Sequence, residues 1–331
     1  MIFSNLFIFI YYVFLVCIVL GDGMAGKVND KGKLKVWLDG KLMEYGKAAV
    51  PILTHSMQYG SGIFEGIRSY ETDRGAAIFR LHDHVKRFMN SMKIYSIKSP
   101  YDSGVIEDAI KKVVRANDLK SSYIRPFAFY NDDNIGVGIS GKKISVYIAA
   151  MPFGALFGSG KEKGIRCKVS SWHRISSSTL PVQAKASGNY LNSIIAGNDA
   201  TASGFDEAIL VSGDGFVAEG PGENIFMVKD NVLVTPSKES DILLGITRYS
   251  LLEIAESMGF TTEERLVKRE ELYTADELFF AGTAAEITPI TNVDGISIGN
   301  GIGPMTKTLS DRYYNIVHGN DDEFKGWLTY V

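Results

Sequence analysis

Residues 181–190 read Pro-Val-Gln-Ala-Lys-Ala-Ser-Gly-Asn-Tyr, and they set one lysine among side chains too small to fill the space around it. Ala184, Ala186, Ser187 and Gly188 leave room for a flat ring to come close to the backbone. Apolar residues at helical spacing follow, at Tyr190, Leu191, Ile194 and Ile195. Lys185 is therefore expected on a tight segment just before a helix. The ordinary reading of one amine among 35 basic residues is a solvated one, since buried lysine is rare. In a closed apolar site an amine sheds its proton more readily. A neutral amine can then attack an aldehyde and form a Schiff base. Other segments have to choose between these readings.

With 331 residues, 45% of them hydrophobic, the chain can form two domains with real cores. A net charge of -3 and the lack of a basic stripe with interleaved aromatics give no reason to expect nucleic acid. Cys17 and Cys167 make neither a metal motif nor a disulfide framework, so no metal is expected and a reducing, cytoplasmic location fits. Residues 1–23 stand apart. Leu6 to Leu20 are fifteen consecutive apolar or aromatic residues, nearly enough with their flanks to span a bilayer. No basic residue precedes them, as a signal peptide would require, and the first is Lys27. The segment reads as a membrane anchor with the following domain on the cytoplasmic side, as a signal peptide, or as a leader ahead of a true start at Met24. Membrane contact is expected only if it is retained.

Val36 to Leu42 reads as strand, Asp-Gly turn, strand. Glycines 60, 62 and 66 then break regular structure and let backbone approach a ligand. Val85, Phe88, Met89 and Met92 predict a helix over Leu81–Ile94, with Arg87 beside its apolar face, where most arginines are solvated. Val105 to Val114 predicts a second helix, and Tyr123–Tyr130 and Ile144–Met151 predict strands. Pro152–Gly164 carries four glycines but also Phe153, Leu156 and Phe157, too apolar for a passive tether, so it is expected to cover part of a cleft. The expected division is a small domain over 24–152, a connecting loop over 153–164 and a second domain over 165–331. Further strands are predicted at Glu207–Val211, Ile225–Val228, Asn231–Thr235 and Glu277–Ala281, and helices after Gly245 and over Met305–Val317. The mixed order of elements is α+β to α/β.

Four pieces suit one chemistry. Lys185 can hold an aldehyde. Gly245, Ile246 and Thr247 open a helix, whose N–H groups and dipole attract a dianionic phosphate. Glu219, on the glycine-rich corner 219–224, can keep a pyridine nitrogen protonated, as an electron sink requires. Gly282-Thr283-Ala284 is a turn at a strand end with N–H groups free for a carboxylate. Each also has an ordinary reading: Thr247 as a cap, Glu219 as a solvated loop acid, the glycine turn as only a turn.

In order, the segments SMQYGSGIFEGIR, SYIRPF, AKASGNYLNS, AEGPGENIF, LLGITR and AGTAAEITPI resemble the fold-type IV, pyridoxal-phosphate-dependent aminotransferases, and most closely the branched-chain amino acid aminotransferases. The resemblance runs from about Val36 to Val331. It implies a smaller N-terminal α/β domain and a larger C-terminal domain whose sheet forms a pseudo-barrel. It implies pyridoxal 5′-phosphate bound through Lys185, with its phosphate on Arg87, the Ile246 and Thr247 amides and Thr283. Tyr190 would meet the ring's phenolic oxygen and Glu219 its nitrogen. Tyr123, Thr283 and Ala284 would take the substrate α-carboxylate, and Arg125 the distal carboxylate of glutamate. Phe64, Tyr59, Gly66 and Phe153 would line the side-chain pocket. Tyr59 and the turn holding Val137 and Ile139 would come from a second subunit, so the resemblance implies a homodimer or higher homo-oligomer acting on amino acids and 2-oxo acids. D-amino acid aminotransferases and aminodeoxychorismate lyases share the lysine; the Tyr123-Ile124-Arg125 triplet favours the branched-chain class. Familiar bacterial members place Trp and Tyr where this chain has Phe153 and Leu156, which implies a wider pocket.

Overall fold

The computed structural model describes residues 33–331 except 134 and 155. The apolar leader lies outside them. Among the described residues no helix is long and apolar enough to cross a membrane.

The first half comprises β1 (Lys35–Leu38), β2 (Lys41–Glu44), α1 (His55–Tyr59), β3 (Ile63–Phe64), β4 (Ile67–Thr72), β5 (Gly75–Phe79), α2 (Leu81–Ile94), α3 (Ser103–Ala116), β6 (Ser122–Tyr130) and β7 (Ile144–Pro152). The Asp-Gly turn appears as expected, with Asp39 and Gly40 both at positive φ between β1 and β2. The sheet runs β5-β4-β6-β7-β1-β2, with β3 on β6. Val85, Phe88 and Met92 of α2 and Ile106, Ile110 and Val113 of α3 fill its core against Ile67, Ile124 and Ile148. β4 and β5 were not anticipated: both lie between the glycine run and α2, in a stretch with no clean alternation.

The expected loop 153–164 is not all loop, because it contains a helical turn, α4 (Gly160–Lys163). The second half continues with β8 (Ile165–Val169), α5 (Tyr190–Ala202), β9 (Glu207–Ile209), β10 (Asn224–Lys229), β11 (Val232–Pro236), α6 (Ile246–Ser257), β12 (Thr261–Arg265), α7 (Arg269–Tyr273), β13 (Glu277–Gly282), β14 (Glu286–Val293), β15 (Ile296–Ser297) and α8 (Pro304–Val317). A last strand, β16 (Leu328–Tyr330), returns to pair with β5 of the first sheet.

The second sheet runs β12-β11-β10-β13-β14-β8-β9, with β15 on β14. Its edges curl toward each other through the 211–217 turn: Val211 bridges Val217, Phe216 bridges Lys268, and Val217 N donates to Val267 O at 2.8 Å. This is the pseudo-barrel of the fold. Phe280, Leu278, Ile290 and Val293 pack inside it. On its outer side Phe226, Phe279, Leu251 and Leu309 pack with Phe79 and Leu328, so the two halves share a core at the seam.

Candidate active site

Lys185 sits on that seam. Phe64 N donates to its carbonyl at 3.0 Å, its own N–H donates to Ser91 Oγ at 3.1 Å, and Ala186 bridges Ile63. Small residues are needed here for a visible reason. Gly60, left-handed at the end of α1, faces Gly188, whose Cα would lie 3.2 Å from a Cβ at 60. The backbone on both sides of Lys185 is thus tied to the first half of the chain while α5 carries on into the second. Nζ donates to Tyr190 Oη at 2.6 Å and lies 5.1 Å from the Phe64 ring centre. Its surroundings are aromatic and half-buried, not bulk water.

One cavity is lined by Lys185, Tyr190, Arg87, Glu219, Ile246, Thr247 and Thr283. At one end the first turn of α6 presents its N–H groups, which have no partner within the helix. Gly245 caps that helix, and a Cβ there would lie 2.0 Å from Asn224 Oδ1, so the loop packs too closely for any side chain. Arg87, one helical turn before Ser91 on α2, reaches the same end and donates from Nη1 to Leu244 O at 3.1 Å. The sequence held no sign of its partner. Glu65, wholly buried, accepts from Arg87 Nε at 2.6 Å and Nη2 at 2.9 Å, and bonds His84 Nδ1 at 2.8 Å.

Glu219 lines the same cavity. It is buried, not the solvated loop acid of the ordinary reading. Oε2 accepts from Asn224 Nδ2 at 3.0 Å and Leu243 N at 3.1 Å, and Oε1 pairs with Arg174 Nη2 at 2.9 Å. Arg174 and Asn224 were not anticipated as site residues.

Phe64 leads from this cavity to a second cluster. Arg125 stacks over the Phe64 ring at 4.6 Å and donates from Nη2 to Tyr123 Oη at 3.1 Å. Its buried Nε–H has no acceptor among the described residues. Tyr123 packs on Phe153 at 5.1 Å between ring centres, and a Cβ at Gly66 would lie 2.1 Å from Tyr123 Oη. The connecting loop is held down beyond Phe153. Lys161 Nζ donates to Glu286 Oε2 at 2.6 Å, and Arg68 Nη1 to Glu286 Oε1 at 3.2 Å. Ala284 lies on the turn between β13 and β14, two residues before that acid. Tyr59, Val137 and Ile139 stand apart from the cavity and are exposed; Tyr59 Oη accepts from Gly136 N at 3.2 Å.

Glu223, on the 219–224 corner, forms with Glu207 of β9 an acid pair with a measurable consequence. Burial pushes the carboxyls of Glu207 and Glu223 well above the usual carboxylate range, and Glu223 adds to the effect on Glu207. For an acid raised in this way, folding costs nothing extra below the unfolded value, about 4.3. The cost grows as pH rises from there toward the folded value. Glu207→Gln is therefore expected to raise the thermal unfolding midpoint at pH 8, equivalent to about 1–3 kcal/mol, and to leave it unchanged near pH 4. Equal effects at both pH values would refute this.

The chain belongs to the amino-transferase class IV family, whose model matches residues 62–293. It is 41% identical over 299 residues to the branched-chain-amino-acid aminotransferase of Escherichia coli (strain K12), covering 89% of this chain and 97% of that one. It superposes on the branched-chain aminotransferase of Thermoproteus uzoniensis with norvaline, at a TM-score of 0.86 and 45% identity, covering 90% of this chain and 99% of the other. The branched-chain amino acid aminotransferase of Thermobaculum terrenum, in its PLP-bound holo form, gives a TM-score of 0.85 at 34% identity, covering 90% and 98%.

Proposed function

We propose that this chain exchanges amino groups between branched-chain L-amino acids and 2-oxoglutarate, using pyridoxal 5′-phosphate. The observation that carries the proposal is the set of groups that line one cavity: the Arg87 cation, the N-terminus of α6, the buried Glu219 carboxylate, and the Lys185 amine against Tyr190. That set suits the cofactor's phosphate, ring nitrogen and aldehyde. A Cβ at 245 would lie 2.0 Å from Asn224 Oδ1, so the loop that enters α6 packs directly on the side chain that also bonds Glu219.

Arg87, Thr247, Thr283 and the Ile246 amide would hold the phosphate, Tyr190 the phenolic oxygen and Glu219 the nitrogen. When bound, the cofactor supplies an aldehyde that captures the amino group and a ring that accepts the electron pair left by the α-proton. Lys185 would hold the aldehyde, and its Nζ, once free, would act as the general base that takes up and returns the α-proton. Tyr123, Thr283 and Ala284 fix the α-carboxylate. Phe64, Gly66 and Phe153 give the side chain an apolar wall that distinguishes leucine, isoleucine and valine by only about 1–3 kcal/mol. Arg125, with a donor to spare, neutralises the distal carboxylate of glutamate.

Tyr59, Val137 and Ile139 act from a second copy of the chain. Leu191, Ile194 and Ile195, the apolar stripe of α5, face outward, and Leu191 is 63% exposed. Ile52, Val137 and Trp172 are exposed as well, and large apolar side chains left in water in this way are what a homodimer would cover. A cytoplasmic location suits the buried, unpaired Cys167.

A panel of L- and D-amino acids in the half-reaction, followed by cofactor absorbance, tests the assignment. Leucine, isoleucine, valine and L-glutamate should react and D-amino acids should not. Turnover of aminodeoxychorismate to pyruvate and aminobenzoate in place of these would overturn it. Arg125→Ala is expected to lower kcat/KM for glutamate by about 10–100-fold, the worth of a hydrogen bond to a charged group. Leucine should change only a few-fold, and equal losses would remove Arg125 from the glutamate site.

A further inference from the structure

Arg174 belongs to no motif in the sequence, yet it is locked in place on three sides. It stands in the segment between β8 and the lysine stretch, and its N–H donates to Val211 O at 2.7 Å. Nε donates to Asp241 O at 3.3 Å, and Asp241 is itself held by Ser177 N at 2.9 Å. Nη2 lies 2.9 Å from Glu219 Oε1, with both side chains 7% exposed. A buried guanidinium held this firmly has one evident purpose, the carboxylate it touches.

We infer that Arg174 is the positioning residue that keeps Glu219 charged and aimed, so that a proton between Glu219 and the cofactor's ring nitrogen rests on the nitrogen. This rests on the role given to Glu219 above. A carboxyl sealed from water prefers to be neutral, and burial is the largest influence on Glu219, pushing it up. Arg174 is the strongest opposing influence, ahead of the Leu243 N–H, Lys185 and Arg248. Glu223, on the same corner, is pushed up by its own burial and by Glu219, and offers no positive charge in exchange. Without Arg174 the proton would return to Glu219. The ring nitrogen would then face a neutral acid and lose much of its power to draw electrons. Arginine is required because one planar group must reach both the Asp241 carbonyl and Glu219, which a lysine ammonium can do only in part.

The test uses holoenzyme carrying pyridoxal 5′-phosphate labelled with ¹⁵N in the ring, observed by NMR across pH. Wild type should show a protonated nitrogen at neutral pH. Arg174→Met should lower its titration midpoint by about 1–3 pH units, the effect of one neighbouring arginine on a carboxyl. Arg174→Lys, the variant closest to the native fold, should fall between them, and Arg174→Met should add nothing in a Glu219→Gln background. A nitrogen that titrates as in wild type in either Arg174 variant overturns the inference. Wild-type protein that takes up no cofactor overturns the reading of the cavity instead.

Discussion

Lys185→Ala is expected to lose leucine–oxoglutarate exchange by more than about 10⁴-fold, the upper end of what a general base contributes, because in the proposed role the residue also anchors the cofactor covalently. Lys185 is the one lysine lining the cavity among the described residues. Tyr190 Oη, the group nearest its amine, is a phenol that cannot form the bond to an aldehyde. The variant should still bind cofactor, since the contacts proposed for its phosphate and ring nitrogen come from α2, α6, Thr283 and the 219–224 corner, none of which bonds the amine. Its spectrum should be that of the free aldehyde, and borohydride should no longer fix cofactor to the chain. A small primary amine in the buffer should restore a fraction of the proton transfer, which no purely structural role for Lys185 would allow. Exchange at the wild-type rate, or borohydride labelling at another lysine, would sink the assignment.

What was legible in the sequence had a local signature. Small residues around a lysine, Asp-Gly turns, apolar repeats of α2 and α3 and a glycine before α6 each report a backbone need met within a few residues. The partners were not legible. Arg87 looked like a flank arginine because Glu65, which holds it, lies in a glycine run on another element. Glu219 looked like a loop acid because Arg174 approaches it from the far side of the lysine stretch. A carboxylate bonded to a distant guanidinium leaves no period and no spacing to read. The α5 stripe teaches a related lesson: periodicity found the helix, but Ser193, Ala196 and Ala200 are its buried side and the larger apolar residues face out. Amphipathicity locates a helix; it does not say which of its faces turns inward.

Glu65→Ala is expected to destabilise the apoenzyme by about 3–5 kcal/mol at pH 7, the cost of leaving a buried charge without its partner. Glu65 is fully buried and bonds Arg87 twice, His84 once, and its neighbour Gly66 N at 3.2 Å. Burial by itself would raise its carboxyl, but the Arg87 charge and the His84 bond outweigh that and hold it well below the usual carboxylate range. A depressed acid contributes stability that is complete above its unfolded value, about 4.3, and drains away as pH falls toward the folded one. The gap between wild type and variant should therefore be widest near neutrality and narrow below about pH 4. His84 can gain only positive charge, which its burial disfavours, so it cannot balance the Arg87 charge, and it is Arg87 that is stranded. Glu65→Gln keeps an acceptor for one Arg87 N–H and should lose less. Urea unfolding of the three proteins between pH 3.5 and 7 decides it. Were Glu65→Ala within about 0.5 kcal/mol of wild type at pH 7, the size of an ordinary surface change, Arg87 would have to be balanced by something other than this carboxylate.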